Sequence, residues 1–96
     1  MTDPTITTLA DAIRTAGFAS TTAEREEHGK VRVRLTEADP GILADLLSVD
    51  EVMPWDLQPL GIRSTQGAVT PDATTFYLTD ENALRLAAFL ANTDGR

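Results

Sequence analysis

The sequence predicts an α+β fold in the order α-ββα-ββα, and three observations carry that prediction. The first is a repeat. Gly17-Phe18-Ala19-Ser20-Thr21 returns 44 positions later as Gly61-Ile62-Arg63-Ser64-Thr65. Leu35-Thr36-Glu37, leading into Leu43-Ala44 and Leu46-Leu47, returns 43 positions later as Leu78-Thr79-Asp80, leading into Leu86-Ala87 and Phe89-Leu90. A turn would absorb the one-residue difference; the matching segments are short and rich in common residues, so chance is the competing explanation. The second observation is strict alternation of Val31, Val33 and Leu35 with Arg32 and Arg34, the period of a half-buried strand. The third is apolar residues at helical spacing before, between and after the strands. Together they predict one four-stranded, mostly antiparallel sheet with helices on one face.

The first element is a helix over 5–16. Ile6, Leu9, Ala10 and Ile13 share its apolar stripe, Asp11 and Arg14 lie off it, and Gly17 supplies the stop. The unit 17–48 continues with a hairpin whose loop is Glu27-His28-Gly29, a three-residue turn with Gly29 in the left-handed position. That loop sets the register. Glu26 faces Lys30, Glu24 faces Arg32 and Thr22 faces Arg34 on the open side; Ala23 faces Val33 and Thr21 faces Leu35 on the buried side. Strict alternation back from Thr21 would turn Phe18 outward, so the strand either bulges or starts later. Thr36 is expected to cap the second helix with Asp39 as its capping-box partner, or Asp39 caps it ahead of Pro40. Ile42, Leu43, Leu46 and Leu47 form its apolar stripe.

Pro54 and Pro59 exclude a regular helix or central strand across the connection 49–60, which holds the only tryptophan. The second unit, 61–92, reads as a strand near 61–66, a loop containing Gly67, Pro71 and Asp72, and a strand near 74–78. A last helix follows over about 80–92, with Thr79 as its cap. Asp80 and Glu81 sit at its positive end, and Ala83, Leu86, Ala87 and Leu90 face inward.

With 96 residues, 42% hydrophobic and 24% charged, the chain has the size and composition of a single globular domain. It contains no cysteine, which removes disulfides, thiolate metal sites and cysteine nucleophiles. The start Met-Thr-Asp-Pro-Thr lacks the basic region of a secretory signal, and no apolar run reaches the ~20 residues of a membrane helix. A cytoplasmic location without membrane association is therefore expected. The net charge of −7 suits a basic protein partner better than nucleic-acid phosphate, and the excess of arginine over lysine is the usage of a GC-rich genome. The Leu-Thr-[Glu/Asp] strand ends that run straight into Ala/Leu helices loosely resemble those of many small acidic proteins of GC-rich bacteria and their phages. That resemblance implies no activity.

Nothing in the chain assembles catalytic chemistry. His28 is the single histidine, placed at a turn tip beside Glu26 and Glu27, where a solvated residue is the expectation rather than a ligand or base. No phosphate-cradling glycine pattern, nucleophile elbow, HExxH or calcium-loop spacing is present. Neither an enzyme activity nor a cofactor or metal is expected.

Two features point to a protein partner. From Leu35 to Ile62 there is no basic residue, while Glu37, Asp39, Asp45, Asp50, Glu51 and Asp56 all fall there. They form either a solvated face or a surface for a basic partner, as in an inhibitor that mimics nucleic acid. Val52, Met53, Trp55, Leu57 and Leu60 cluster in the same region. They either close the open edge of the core or anchor a partner, since Trp and Met are effective contact residues. The candidate partner-binding set is Trp55, Met53, Val52, Leu57, Asp45, Asp50, Glu51 and Asp56. Arg32, Arg34 and Arg63 could form a basic strip on the open sheet face, but Tyr77 is its sole stacking aromatic, so nucleic acid is not an expected partner. The leading expectation is a non-enzymatic interaction module that self-associates as a homo-oligomer.

Overall fold

The computed structural model describes residues 3–62 and 66–93, and its elements follow the predicted order. The first helix, α1, spans Pro4–Thr15; Asp3 caps it, its carboxylate accepting from the backbone N–H groups of Thr5 and Ile6. At the other end Gly17 adopts φ 93°, and the N–H groups of Gly17 and Phe18 donate back to the carbonyls of Arg14 and Ile13. This is a Schellman closure, and it carries Phe18 into the core, 6% exposed. The conflict at Phe18 is thereby settled: the strand starts later, at Thr22.

Strand β1 (Thr22–Arg25) and strand β2 (Val31–Thr36) pair in the expected register, with Thr22 opposite Arg34, Ala23 opposite Val33 and Glu24 opposite Arg32. Glu24 and Arg32 form the expected cross-strand ion pair at 2.6 Å, worth ~0.2–1 kcal/mol on an open face. Helix α2 (Asp39–Leu47) follows. A 3₁₀ segment then spans Pro54–Leu60, strand β3 Gln66–Val69, strand β4 Ala73–Leu78, and helix α3 Asp80–Thr93. The sheet order is β1-β2-β4-β3 with every neighbour antiparallel.

The pairing reproduces the sequence repeat residue by residue. Shifting β1 by 44 and β2 by 43 carries the four pairs of the first hairpin onto the four of the second, from Thr22–Arg34 onto Gln66–Tyr77 through Arg25–Val31 onto Val69–Thr74. The missing residue lies in the turns. Three residues, 27–29, separate the Glu26–Lys30 closing pair, whereas two, 71–72, separate Thr70 from Ala73. Val33 and Phe76 are 43 positions apart and face each other across the central β2–β4 pair, so a pseudo-twofold axis passes between them. The 3₁₀ segment ends as α1 does. Gly61 takes φ 84°, its N–H and that of Ile62 donate to the carbonyls of Gln58 and Leu57, and Ile62 is fully buried.

One contiguous core fills the space between the sheet and the helices. Val31, Val33, Leu35, Phe76 and Leu78 project into it from β2 and β4. Leu9 and Ile13 of α1, Leu43 of α2, and Ala83, Leu86, Ala87 and Leu90 of α3 cover them. The cap expected at Thr79 is present, its hydroxyl accepting from the Asn82 N–H at 3.2 Å.

Three expectations are corrected. Gly67 belongs to β3 rather than to a loop; of the strand expected near 61–66, Gly61 and Ile62 instead close the 3₁₀ segment, residues 63–65 lie outside the described residues, and β3 begins at Gln66. Thr36 does not cap α2: the helix begins at Asp39 after Ala38, which makes no side-chain cap. The Thr36 hydroxyl instead donates to the Ser20 carbonyl at 2.9 Å. Pro54 and Pro59 exclude an α-helix but not a short 3₁₀ segment: Pro54 stands in its first turn, where an N–H has no intrahelical partner, and Pro59 removes only one bond.

An ion-pair network ties the first strand to two helix starts. The Arg25 guanidinium bridges Asp3, at 2.9 Å, and Asp80, the first residue of α3. The Arg25 hydrogen bond, helped by the Arg25 charge and the Thr5 hydroxyl, holds the Asp80 carboxyl below the ordinary aspartate range. A carboxyl depressed in the folded state stabilises it above the unfolded pKa of about 3.9, and that contribution is lost as pH falls through the folded value. Asp80→Asn should therefore lower the melting temperature near neutrality and leave it unchanged at strongly acidic pH. Parallel melting curves for the two proteins across that range would refute the assignment.

Candidate interaction surface

The connection that contains the 3₁₀ segment sorts its apolar residues by position along the chain. Val52 and Leu57 are core residues, 2% and 0% exposed, so they present no side-chain surface to a partner. Met53 and Leu60 are half-buried. Trp55 points out, 63% exposed. The alternatives read from the sequence thus divide within one segment: Val52 and Leu57 close the core, and Trp55 stands on its surface. The Asp56 carboxylate accepts from the Met53 N–H at 2.8 Å, fixing the start of the segment that displays the indole. Asp56 is therefore partly committed to local structure.

The acidic residues also separate. Asp45, Asp50, Glu51 and Glu37 are exposed. Asp39 is 2% exposed and serves the fold: its Oδ2 accepts from the Ser20 N–H at 2.7 Å and the Thr21 hydroxyl at 2.6 Å. Beside it Glu37, at φ 57°, turns the chain from β2 into α2 and accepts from the Ser20 hydroxyl. Asp50, Glu51, Glu37 and Asp72 line one groove of about 220 Å³. Among the described residues no group of three His, Asp or Glu side chains is arranged to hold a metal ion. His28 is exposed at its turn, as expected.

The open face of the sheet forms a shallow concavity of about 360 Å³. Its floor carries Arg34 between Thr22 and Thr75, and Arg32 between Glu24 and Tyr77. Glu24 neutralises Arg32, but among the described residues the Arg34 side chain has no ion pair or hydrogen bond. Arg63 lies outside the described residues.

Sequence reasoning missed a further surface. Leu84 of α3 is 44% exposed and lies with Ala12, Thr15, Ala88 and Ala91 in an apolar groove between α1 and α3. Its signal was a leucine off the inward-facing stripe of Ala83, Leu86, Ala87 and Leu90. No helix among the described residues is long and apolar enough to cross a membrane. Comparison with protein-family models, curated proteins and solved structures found no match.

Proposed function

We propose that this chain is a non-enzymatic protein-interaction module that self-associates, with Trp55 as an anchor of the contact. The observation that carries the reading is the 63% exposure of the single tryptophan on a segment whose neighbours Val52 and Leu57 are in the core. A large aromatic held outward by buried flanking residues is pre-ordered for contact. Binding then costs little additional chain entropy, and burying the ring supplies the gain. Met53 beside it adds an adaptable apolar surface. The exposed carboxylates Asp45, Asp50 and Glu51, with Asp56, favour a partner surface that carries positive charge.

Trp55→Ala tests the reading. The side chain is already largely solvated, so its truncation should cost the monomer no more than about 1 kcal/mol. The assembly should weaken at least about tenfold, the loss typical of an interface anchor. Light scattering across a dilution series reads the assembly, and a melting curve reads the fold. Undiminished association of the variant would remove Trp55 from the contact, and a wild-type chain that stays monomeric at high concentration would remove self-association.

A further inference from the structure

We infer that the open sheet face is an isologous docking surface for a second copy of this chain, in which Arg34 of each copy enters the acidic groove of the other. The inference rests on the self-association proposed above and names the contact that would specify it.

Three observations converge on this face. The concavity around Arg34 and the groove around Asp50 and Glu51 adjoin, since Thr70 and Ala73 line both. Their charges are opposite, and both sets are unsatisfied among the described residues. Arg34 has no acidic partner, and Asp50, Glu51 and Asp72 make no ion pair or hydrogen bond. The other arginines among the described residues are paired: Arg14 with Asp11, Arg25 with Asp3 and Asp80, Arg32 with Glu24, and Arg85 with Glu81.

A surface with a positive half beside a negative half is complementary to itself after a twofold rotation. Each copy then contributes both halves, and the contact closes at two copies instead of propagating. The row across the sheet at Arg34 is short-chained, with Thr22, Thr75 and Ala68 beside it, so a second copy can approach the guanidinium closely past the flanking row of Glu24, Arg32 and Tyr77. The groove wall formed by Asp50, Glu51 and Val52 continues along the chain to Trp55. A copy seated there is brought to the segment that displays the indole. Net repulsion between chains of charge −7 favours an arrangement that places the unpaired arginine on the acidic groove over any that apposes the two grooves.

The test is a charge swap on the full chain, read by sedimentation or light scattering, with melting curves to confirm folding. Arg34→Glu should weaken dimerisation at least about tenfold, and the pair Asp50→Arg with Glu51→Arg should do the same. An equimolar mixture of the two variants should recover dimers, because both contacts in the mixed pair are again of opposite charge. The triple variant should recover them alone. Wild-type dimers should also weaken as salt is raised, a reading that needs no variant to fold. If the wild type dimerises and Arg34→Glu leaves that unchanged, the docking face is wrong while self-association stands. Weakened single-site variants that the mixture does not rescue would likewise overturn the pairing, as would growth into long polymers. So would binding of an oligo-arginine peptide to the groove of a chain that stays monomeric.

Discussion

Replacing Phe76 by alanine is expected to abolish the folded state or leave it marginal at room temperature. The ring is fully buried at the middle of β4, directly opposite Val33 on the pseudo-twofold axis that relates the two hairpins. Removing a buried phenylalanine costs ~3–5 kcal/mol in lost transfer energy and cavity formation. A domain of this kind has a total stability of about 5–15 kcal/mol. The position also limits recovery, because β2 and β4 are the central strands and both cover the same helical layer. Phe76→Leu, which keeps most of the volume, should cost much less. The informative comparison is with Trp55→Ala, which truncates a comparably large aromatic at 63% exposure. Denaturant titrations should place Phe76→Ala far below wild type and Trp55→Ala close to it. Similar losses for the two would mean that the burial assigned to one of them is wrong.

The same contrast shows where sequence reasoning succeeds and where it stops. Period-two alternation at 31–35 names the buried face of β2 without help, because one side of that strand must meet the core and the other must meet water. Gly29 and the loop length then determine which residue of β1 faces which residue of β2, and the observed pairs are the expected ones. The second hairpin was less legible because Gly67 reads locally as a loop residue, although it lies in β3 opposite Phe76. Taking the 44-residue offset from Thr22 would have placed the strand start at Gln66, where it is observed. Trp55 and Leu57 are two positions apart in a proline-flanked segment, with no periodic pattern to say which one faces in. Only the 3₁₀ path between Met53 and Gly61 decides it. The complementarity of Arg34 with Asp50 and Glu51 was out of reach for a similar reason. It depends on β2 and the chain after α2 bordering adjacent hollows, through Thr70 and Ala73 of the second hairpin.

Asp39→Ala is the second substitution from which a large effect is expected, and its cause is a local competition that the sequence did not display. Thr36, Asp39 and Pro40 have the spacing of a helix start. The segment Ser20-Thr21, however, runs past that start and offers a backbone N–H and a hydroxyl, and both donate to the Asp39 carboxylate. Thr36 completes the junction by donating to the Ser20 carbonyl. The carboxylate therefore joins the chain entering β1 to the first residue of α2, 19 positions away. Hydrogen bonds to a charged group contribute about 1.5–3 kcal/mol, and deleting the acceptor also leaves the Ser20 N–H without its partner. A loss of roughly 2–3 kcal/mol is expected for Asp39→Ala. Thr21→Val, which removes one of the two donors and leaves the backbone bond, should lose about half of that. If the two act through the same bonds, the double substitution will cost less than the sum of the single ones, a non-additivity that a double-mutant cycle in denaturant measures directly. Simple additivity would separate Thr21 from the carboxylate, and wild-type stability in Asp39→Ala would show that the junction is held by the surrounding core alone.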